Sequence, residues 1–340
     1  MPSWNSSAVL AALQAKDIDV EQNKQMALLT TYAVGGSATL AVTLRTAHDI
    51  ERAADALSTC GEIPLVVLGR GSNTLFADDG FDGLVVIMAS SDESRTVQCD
   101  GSVVRAAGSM LMPVLARRSV QAGRGGLEWC VGIPGTVGGA VRMNAGGHGA
   151  EMVDSLIRAR VVSLRSGLSQ EIDASQLGLH FRGSALSAHH VVVSTEFTTT
   201  DSTVEEGTRV LDEIVSWRRQ HQPGGRNAGS VFVNPAPGEG SAGALIDAAG
   251  LRGFSVGGAQ VSDKHANFVQ ASDGATASDI VAVMTHVQRV VEESVGVILR
   301  SEVRLVGFSH DVEARFKDMR HDQADFVAAR HAISTVLGEI

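Results

Sequence analysis

Cysteine is scarce in this chain of 340 residues. Its three thiols, Cys60, Cys99 and Cys130, are too few and too scattered for a disulfide framework or a cysteine-rich metal site. Long apolar runs are also missing, since no stretch approaches the roughly 18 apolar residues of a membrane span. The N-terminal segment lacks the basic start and apolar centre of a signal peptide. These absences predict a protein of the reducing cytoplasm with no membrane partner.

Positive charge is in the minority, with 28 lysines and arginines against 38 aspartates and glutamates and a net charge of -10. Such a chain repels nucleic acid backbones and anionic lipid surfaces, so neither is expected as a partner. Any anionic ligand must be captured by a local site. The 44% of hydrophobic and 19% of charged residues are typical of a folded globular protein, and the length suggests about two domains.

Glycine, by contrast, is abundant. The chain has 37 glycines, and ten of them lie between residues 123 and 149. This segment has neither the repeat of a fibrous protein nor the serine and glutamine bias of a linker, and apolar residues are interspersed throughout it. The pattern predicts folded backbone that a ligand approaches closely.

The spacing of apolar residues predicts a mixture of helices and strands without strict alternation, which favours an α+β fold. A capping box from Thr276 to Asp279 begins the clearest helix, whose apolar face continues to residue 291. The other predicted helices span residues 6–15, 47–58, 110–121, 205–220 and 241–249. The predicted strands span residues 64–68, 84–88, 103–107, 157–164, 190–197, 230–233, 267–270 and 297–306, with paired extended segments at 30–42 around a turn at Gly35-Gly36.

The character of the sequence changes near residue 202, where a boundary between two domains is expected. An N-terminal helix and lead-in would occupy residues 1–24. The first domain would span 25–202, with two subdomains split near 88, and the second would span 203–308. Residues 309–340 read as a helical C-terminal extension, because apolar residues including Met319 recur among charges. The sequence leaves two roles open for this extension. It could dock on the protein's own domains, or it could form a surface that binds a partner.

The first chemical motif follows the predicted strand 64–68 and consists of Gly69-Arg70-Gly71-Ser72-Asn73-Thr74. A strand that ends in small residues presents several backbone N–H groups to one point, which suits phosphate oxygens. The motif lacks the third glycine and the helix of a dinucleotide fingerprint, and it lacks the lysine of a Walker A loop. A plain strand-ending turn is the alternative.

The second motif is Gly132-Ile133-Pro134-Gly135-Thr136-Val137-Gly138-Gly139-Ala140, followed by Asn144 and Gly146. Positions without side chains let the backbone lie against a flat or bulky ligand. Close packing of turns is the alternative. Because two such motifs flank a shared set of strands, the sequence favours a nucleotide or dinucleotide site.

These motifs and several others occur in an order that resembles the UDP-N-acetylenolpyruvoylglucosamine reductase family, over about residues 28–307. The segments that carry the resemblance are Thr30-Thr-Tyr-Ala-Val-Gly-Gly36, LGRGSN at 68–73, GLEWCVGIPGTVGGAVRMNAGG at 126–147, FRGS at 181–184, NAGSVFVNP at 227–235, LID at 245–247 with Gly250-Leu251, HANF at 265–268 and LRSEVRLVG at 299–307. Each is weak by itself, and the ordered set is specific.

The resemblance implies an FAD-binding domain of the vanillyl-alcohol-oxidase type and a smaller α+β domain that closes over a UDP-sugar. It also implies that NADPH gives a hydride to FAD, and that the reduced flavin passes it to the enolpyruvyl group of UDP-N-acetylglucosamine enolpyruvate. The product is UDP-N-acetylmuramate, a peptidoglycan precursor. Ser230 would protonate C2, while Arg182 and Glu302 would stabilise the enolate-like charge.

The family's binding residues carry over position by position. Expected FAD contacts are Gly69, Arg70, Gly71, Ser72, Asn73, Thr74, Gly126, Ile133, Pro134, Gly135, Thr136, Gly139, Ala140, Asn144 and Gly146. Expected substrate contacts are Asn234, Lys264 and His265. No metal is expected, and the protein is expected to be a monomer.

The sequence departs from the family pattern at three places. Phe181 stands where the family usually has tyrosine, Leu186 replaces an aromatic residue, and Val233 replaces a frequent basic residue whose phosphate contact Lys264 or Arg219 could supply. One subclass closes its site with a tyrosine-bearing loop, but the only tyrosine here is Tyr32. The chain is therefore expected to belong to the subclass without that loop.

The sequence is also compatible with two other functions. One is another FAD oxidase or dehydrogenase of the same fold, and the other is a non-catalytic UDP-sugar sensor with the extension as its output element. The histidines His148, His189, His190 and His221 have no metal-ligand spacing and are read as polar surface or hydrogen-bonded residues.

Overall fold

Two β-sheets and a smaller α+β unit surround the cleft of this protein. The computed structural model describes residues 4–236, 238–317 and 324–339. The helices are α1 (Ser6–Gln14), α2 (Ala47–Leu57), α3 (Met112–Gln121), α4 (Val137–Arg142), α5 (Met152–Ser155), α6 (Val204–His221), α7 (Ala242–Ala248), α8 (Ala277–Val295), α9 (His310–Phe316) and α10 (Ala324–Val336).

The strands are short, and most of them belong to the N-terminal part of the chain. They are β1 (Val20–Gln25), β2 (Ser37–Leu44), β3 (Leu65–Leu68), β4 (Thr74–Phe76), β5 (Phe81–Met88), β6 (Gln98–Asp100), β7 (Val103–Ala107), β8 (Arg124–Gly125), β9 (Gly146–Gly147), β10 (Ala150–Glu151), β11 (Leu156–Ser163), β12 (Ser169–Asp173), β13 (His190–Thr198), β14 (Thr200–Asp201), β15 (Ser255–Val256), β16 (Ala259–Val261), β17 (Val269–Ala271) and β18 (Arg304–Val306).

The first sheet has the order β1-β2-β5-β3, with β5 parallel to both of its neighbours. Buried residues of β2 and β5, such as Leu40 and Val86, pack against the apolar face of α2, which includes Ile50 and Leu57. Thr46 and Asp49 form a capping box that starts α2. Because β3 lies at the edge of this sheet, the loop that leaves it is free to form the wall of a cleft.

The second sheet is antiparallel, with the order β12-β11-β13-β7-β6. Its buried face packs on α3 through residues such as Leu115 and Phe197. The glycine-rich segment 123–149 lies beside this core, and Trp129 and Cys130 are buried within it. Both side chains contribute to the packing of this core.

The third unit combines the sheet β15-β16-β17 with α7 and α8. As predicted, Thr276 and Asp279 form a capping box, and α8 ends at Gly296, which has a left-handed φ of 73°. Tyr32 and Val34 from the N-terminal part of the chain are buried in this unit's core. The first and third units are thus joined by shared packing as well as by the chain.

The C-terminal extension packs across both larger cores. Phe316 of α9 is buried in the core of the third unit, while Ile333 and Leu337 are buried in the core of the second sheet. These contacts favour the docking interpretation of the extension. Met319, which the sequence also assigned to an amphipathic helix, lies outside the described residues.

Two of the predicted extended segments are wrong, and a third is shorter than predicted. Residues 30–36 follow an irregular path, and β2 pairs with β1 instead of with them. Ser230–Val233 is irregular, with an isolated bridge between Phe232 and Ser301. In the predicted strand 297–306 only β18 is extended and paired. The domain limits 1–24, 25–202, 203–308 and 309–340 stay a prediction.

Candidate active site

A cleft of about 430 Å³ lies between the first two sheets and the third unit, and both glycine motifs form its walls. Most of the expected cofactor-binding residues line it: Gly69, Arg70, Gly71, Ser72, Asn73, Thr74, Ile133, Pro134, Gly135, Thr136, Gly139, Ala140 and Gly146. Arg182, Ser230 and Glu302 line the same cleft. The fold therefore brings the predicted catalytic and cofactor-binding residues to one place.

The first wall is the loop between β3 and β4. Gly71 has a φ of +65°, and a Cβ at this position would overlap the carbonyl oxygen of Leu29, so the turn requires glycine. A Cβ at Gly69 would overlap the hydroxyl of Thr136, which shows that the two glycine motifs touch. Arg70 is exposed and has no hydrogen-bond or ion-pair partner among the described residues. Its guanidinium is available to a phosphate group.

The second wall contains α4, a short helix inside what the sequence indicates only as a glycine-rich loop. Thr136 is its N-cap, and the Thr136 hydroxyl accepts a hydrogen bond from the N–H of Gly139 at 3.3 Å. A Cβ added to Gly139 would have only that hydroxyl within 4 Å. Because Gly139 also lines the cleft, this part of the wall is open to a bulky ligand.

Two expected cofactor-binding residues are engaged elsewhere. The N–H of Gly126 donates to the Glu128 carboxylate at 2.8 Å. Asn144 is buried, its amide donates to Glu151 at 3.0 Å, and its side-chain oxygen accepts from the N–H of Val153. Asn144 thus braces the segment behind the cleft. The FAD contacts of Gly126 and Asn144, like those of the residues that line the cleft, stay predictions.

Glu302 connects the first glycine loop with the Ser230 segment. Its carbonyl accepts a hydrogen bond from the side-chain amide of Asn73 at 3.0 Å, and its N–H donates to the carbonyl of Val231 at 2.8 Å. Two residues later, β18 begins its parallel pairing with β4. This short strand explains how residues from both ends of the chain share one cleft.

Arg182 is held between two carboxylates. Its Nε lies 3.2 Å from Oε1 of Glu302, and its Nη1 lies 3.1 Å from Oε1 of Glu151. The third nitrogen, Nη2, has only a long contact of 3.5 Å with the carbonyl of Gly146. Arg182 has a left-handed φ of 59°, which is unusual for a residue with a side chain and is common at functional sites. The geometry leaves Nη2 available to an anionic ligand.

Ser230 is half-buried at the wall of the cleft, next to Val231, whose carbonyl binds the N–H of Glu302. Its hydroxyl has no hydrogen-bond partner among the described residues. The flanking backbone is fixed because Asn227 accepts from the N–H of Gly229 at 3.0 Å and Asn267 binds Phe232. A fixed backbone with an uncommitted hydroxyl suits a group that transfers a proton to a ligand.

The sequence matches the family model described as UDP-N-acetylenolpyruvoylglucosamine reductase, C-terminal domain, over residues 220–306. A model described as FAD binding domain matches residues 40–172. A protein from Gloeobacter violaceus named UDP-N-acetylenolpyruvoylglucosamine reductase is 39% identical over 287 residues, covering 83% of this chain and 94% of that protein. The chain belongs to the UDP-N-acetylenolpyruvoylglucosamine reductase family.

Further relatives agree with this membership. A reductase of the same name from Parasynechococcus marenigrum is 39% identical over 295 residues, covering 85% of this chain and 97% of that protein. The crystal structure of UDP-N-acetylenolpyruvylglucosamine reductase from Thermus caldophilus superposes with a TM-score of 0.71 at 33% identity, covering 85% of this chain and 98% of that chain. The family, the α+β fold with its FAD-binding domain, and the assignment as an FAD-dependent oxidoreductase are thereby confirmed.

The expected substrate-binding residues lie outside the lining of the cleft. The side-chain oxygen of Asn234 accepts from the N–H of Ala242 at 3.1 Å, and Nζ of Lys264 donates to the carbonyl of Arg219 at 2.5 Å. His265 packs edge-on against Phe268, which does line the cleft. Burial lowers the pKa of His265, and the charge of Arg252 lowers it further. Substrate contacts of Asn234, Lys264 and His265 stay predictions.

Several residues of the site are not among those that the sequence singled out. Arg142, Arg218 and Arg304 line the cleft, and Glu151 holds Arg182. Burial lowers the pKa of Arg218. Arg304 lies two residues after Glu302 in the same family motif and is the first residue of β18. Arg142 and Glu151 have no comparable signal, because their role depends on contacts with distant segments.

A separate cluster of titratable side chains joins the extension to β13. In the described part of the chain, His189, His190 and Glu339 are the group whose ligand atoms converge as a metal site would require. The N–H of Ser187 donates to Nδ1 of His190 at 3.0 Å, so the proton of the neutral ring is on Nε2. That Nε2–H donates to Glu339 at 2.9 Å. In this tautomer His190 is a hydrogen-bond donor and not a metal ligand.

Glu339 also accepts a hydrogen bond from Ser163 at 2.6 Å. Burial by itself raises the pKa of Glu339, but the hydrogen bonds from His189, His190 and Ser163 outweigh it, so the pKa is lowered below its ordinary value. Burial lowers the pKa of His190, although its bond to Glu339 acts in the opposite direction. Both shifts mean that the unfolded chain binds more protons than the folded one as the pH falls.

We therefore expect the free energy of unfolding to decrease as the pH falls below about 6.5, the ordinary pKa of histidine, because of His190, and again below about 4.5 because of Glu339. Glu339→Ala should cost about 2–4 kcal/mol at pH 7.5, since it leaves buried donors unpaired. Urea unfolding measures both effects. Glu213→Ala, an exposed pair partner on α6, is the control and should cost about 0.5 kcal/mol or less. Equal losses in the two variants would contradict the role of Glu339.

Proposed function

We propose that this protein reduces UDP-N-acetylglucosamine enolpyruvate to UDP-N-acetylmuramate, with NADPH as hydride donor and FAD as bound cofactor, in peptidoglycan precursor synthesis. The observation that carries the proposal is the convergence of Arg182, Ser230 and Glu302 on a cleft walled by both glycine motifs. The family supports the same substrate class.

The residues present fit FAD. Gly139 leaves an open surface that a Cβ would fill, and Arg70 offers a guanidinium without a protein partner to the diphosphate. Ser72 and Asn73 of the first wall and Thr136 of the second add polar groups to the cleft. When bound, FAD supplies the redox chemistry that no side chain of the chain can provide, accepting a hydride from NADPH and passing it to C3 of the enolpyruvyl group.

The protein's own groups act on the other carbon and on the carboxylate of the substrate. Ser230 donates a proton to C2. Nη2 of Arg182 stabilises the negative charge that develops on the enolate-like group, while Glu302 and Glu151 fix the other two nitrogens. Oriented in this way, the guanidinium needs no rearrangement when the charge develops.

The test is an absorption spectrum of the purified protein with two additions. NADPH should bleach the bound flavin, and UDP-N-acetylglucosamine enolpyruvate should restore its colour in the absence of oxygen. A flavin that NADPH bleaches but this substrate does not reoxidise would favour another FAD oxidase or dehydrogenase of the same fold. A protein without flavin would favour the sensor.

Glu151 should behave as a positioning residue for Arg182. Glu151→Gln replaces a charge-assisted contact with a neutral one, so we expect reoxidation of the flavin by the substrate to slow about tenfold, with flavin reduction by NADPH unchanged. Stopped-flow measurement of each half-reaction checks this. Glu62→Gln, an exposed partner of Arg165, should leave both rates unchanged. Equal slowing of both half-reactions by Glu151→Gln would contradict the assignment.

The remaining expectations belong to this proposal. The cytoplasm is the proposed location, since both NADPH and nucleotide sugars are cytoplasmic substrates, and the proposed oligomeric state is a monomer. Tyr32 is fully buried, which supports the subclass without a tyrosine-bearing loop. In the described part of the chain, none of the helices is long and apolar enough to cross a bilayer.

A further inference from the structure

A second cavity of about 550 Å³ lies on the other side of Arg182 and Glu302. It shares Arg142, Arg182, Glu302 and Arg304 with the lining of the first cleft, so the two adjoin at these residues. One of its walls comes from the C-terminal extension, through His310, Glu313, Ala314, Phe316, Lys317 and Arg330. The family match ends at residue 306, so this wall is an addition to the matched domains.

The lining of this second cavity is rich in positive charge. It contains five arginine and lysine side chains, which are Arg142, Arg182, Arg304, Lys317 and Arg330, against the two carboxylates Glu302 and Glu313. The charge of Glu302 is matched by Arg182 at 3.2 Å. In a chain with a net charge of -10, such a concentration of cations marks a place where an anion is captured locally.

Arg142 and Arg330 contact no carboxylate of the described residues. Arg142 is half-buried, and its guanidinium donates to the carbonyl of Ser187 without contacting a carboxylate of the described residues. Arg330 has no hydrogen-bond or ion-pair partner among those residues. Burial, together with the charges of Arg304 and Arg330, lowers the pKa of Arg142 to about 9. The guanidinium groups therefore repel one another, and an anion between them would relieve this repulsion.

We propose that the second cavity binds a phosphate group of a nucleotide ligand whose reacting end lies at Arg182 and Glu302. Guanidinium groups match the geometry of phosphate oxygens with paired hydrogen bonds. The identity of the ligand rests on the proposed function, in which two nucleotides besides FAD reach this site. The 2′-phosphate of NADPH and the diphosphate of the UDP-sugar are the two sources of this chemistry.

Calorimetric titration of the flavin-loaded protein with simple probes tests the proposal. Comparing 2′,5′-ADP with 5′-AMP isolates a 2′-phosphate, and comparing UDP with uridine isolates a diphosphate. The wild type is compared with Arg330→Gln, with Arg330→Lys, which keeps the charge, and with Arg289→Gln. Arg289 is exposed on α8 and pairs with Glu293, so its replacement is a matched loss of charge outside the cavity.

We expect Arg330→Gln to weaken binding of one phosphorylated probe about tenfold or more, and that probe identifies the source. Arg330→Lys should weaken it less, and Arg289→Gln should leave it unchanged. The probe that lacks the phosphate should bind all four proteins equally. Equal affinities of all four proteins for every phosphorylated probe would overturn the proposal.

The two proposals can fail separately. If phosphate binding depends on Arg330 but UDP-N-acetylglucosamine enolpyruvate does not reoxidise the flavin, the phosphate site is confirmed and the proposed reaction is wrong. If the wild type completes the reaction but Arg330→Gln binds every probe as tightly as the wild type does, the proposed reaction is confirmed and the phosphate site is wrong.

Discussion

Ser230→Ala should leave the reduction of FAD by NADPH at nearly its normal rate and slow the reoxidation of the flavin by about 10²- to 10⁴-fold. The reason is that hydride transfer from NADPH needs no proton from the substrate side of the cleft, whereas protonation of C2 does. Ser230 is half-buried with an uncommitted hydroxyl, so its removal leaves the protein's hydrogen bonds intact. Stopped-flow absorbance resolves the two half-reactions.

Two further variants make this result specific. Ser230→Cys keeps a proton donor and should retain more of the reoxidation rate than Ser230→Ala. Ser216→Ala, at an exposed position of α6, should have neither effect. If both half-reactions slow equally in Ser230→Ala, the hydroxyl positions the flavin; if neither slows, the proton comes from another group.

Gly139→Val should produce a folded protein that has lost most of its flavin. The added side chain points into the open cleft, where it meets only the hydroxyl of Thr136, and it takes space that the cofactor needs. Filling a close-packed contact in this way costs about 1–3 kcal/mol, which weakens FAD binding about fivefold to 150-fold. The ratio of flavin absorbance to protein absorbance after dialysis measures the loss.

Gly71→Val is a less selective test of the same site. A Cβ at Gly71 would overlap the Leu29 carbonyl at a backbone φ of +65°, so this variant disturbs the fold along with the cofactor site. Gly224→Val is a suitable control, since a Cβ there has no atom within 4 Å. Full retention of flavin by Gly139→Val, with Gly224→Val equally yellow, would remove the second motif from the cofactor site.

The sequence predicts local features of this fold better than long-range ones. The capping box of α8 and the glycine turn at Gly71 depend on neighbouring residues and are found where expected. The strand predicted at 230–233 is wrong because Val231, Phe232 and Val233 are buried in the core but do not form a strand. Their apolar run indicates a core position, which an irregular segment can also occupy.

The same limit applies to the site. Ser230, Arg182 and Glu302 could be predicted because they lie in ordered family motifs, and the structure places all three on one cleft. Glu151 could not be predicted as the partner of Arg182, since it precedes that residue by a whole β-hairpin and its role depends on the tertiary contact. Arg330 belongs to the extension, which lies beyond the family match.

The parallel pairing of β18 with β4 has a consequence for the order of folding. Asn73 and Glu302, which meet beside this pair, are separated by 229 positions in the chain. At a synthesis rate of about 5–20 residues per second, the first glycine loop leaves the ribosome roughly 10–50 seconds before its partner strand exists. Contacts of such long range also close slowly, because the intervening chain loses entropy. Until then the edge of β4 is unpaired, and the part of the cleft that Glu302 and Arg304 line cannot form.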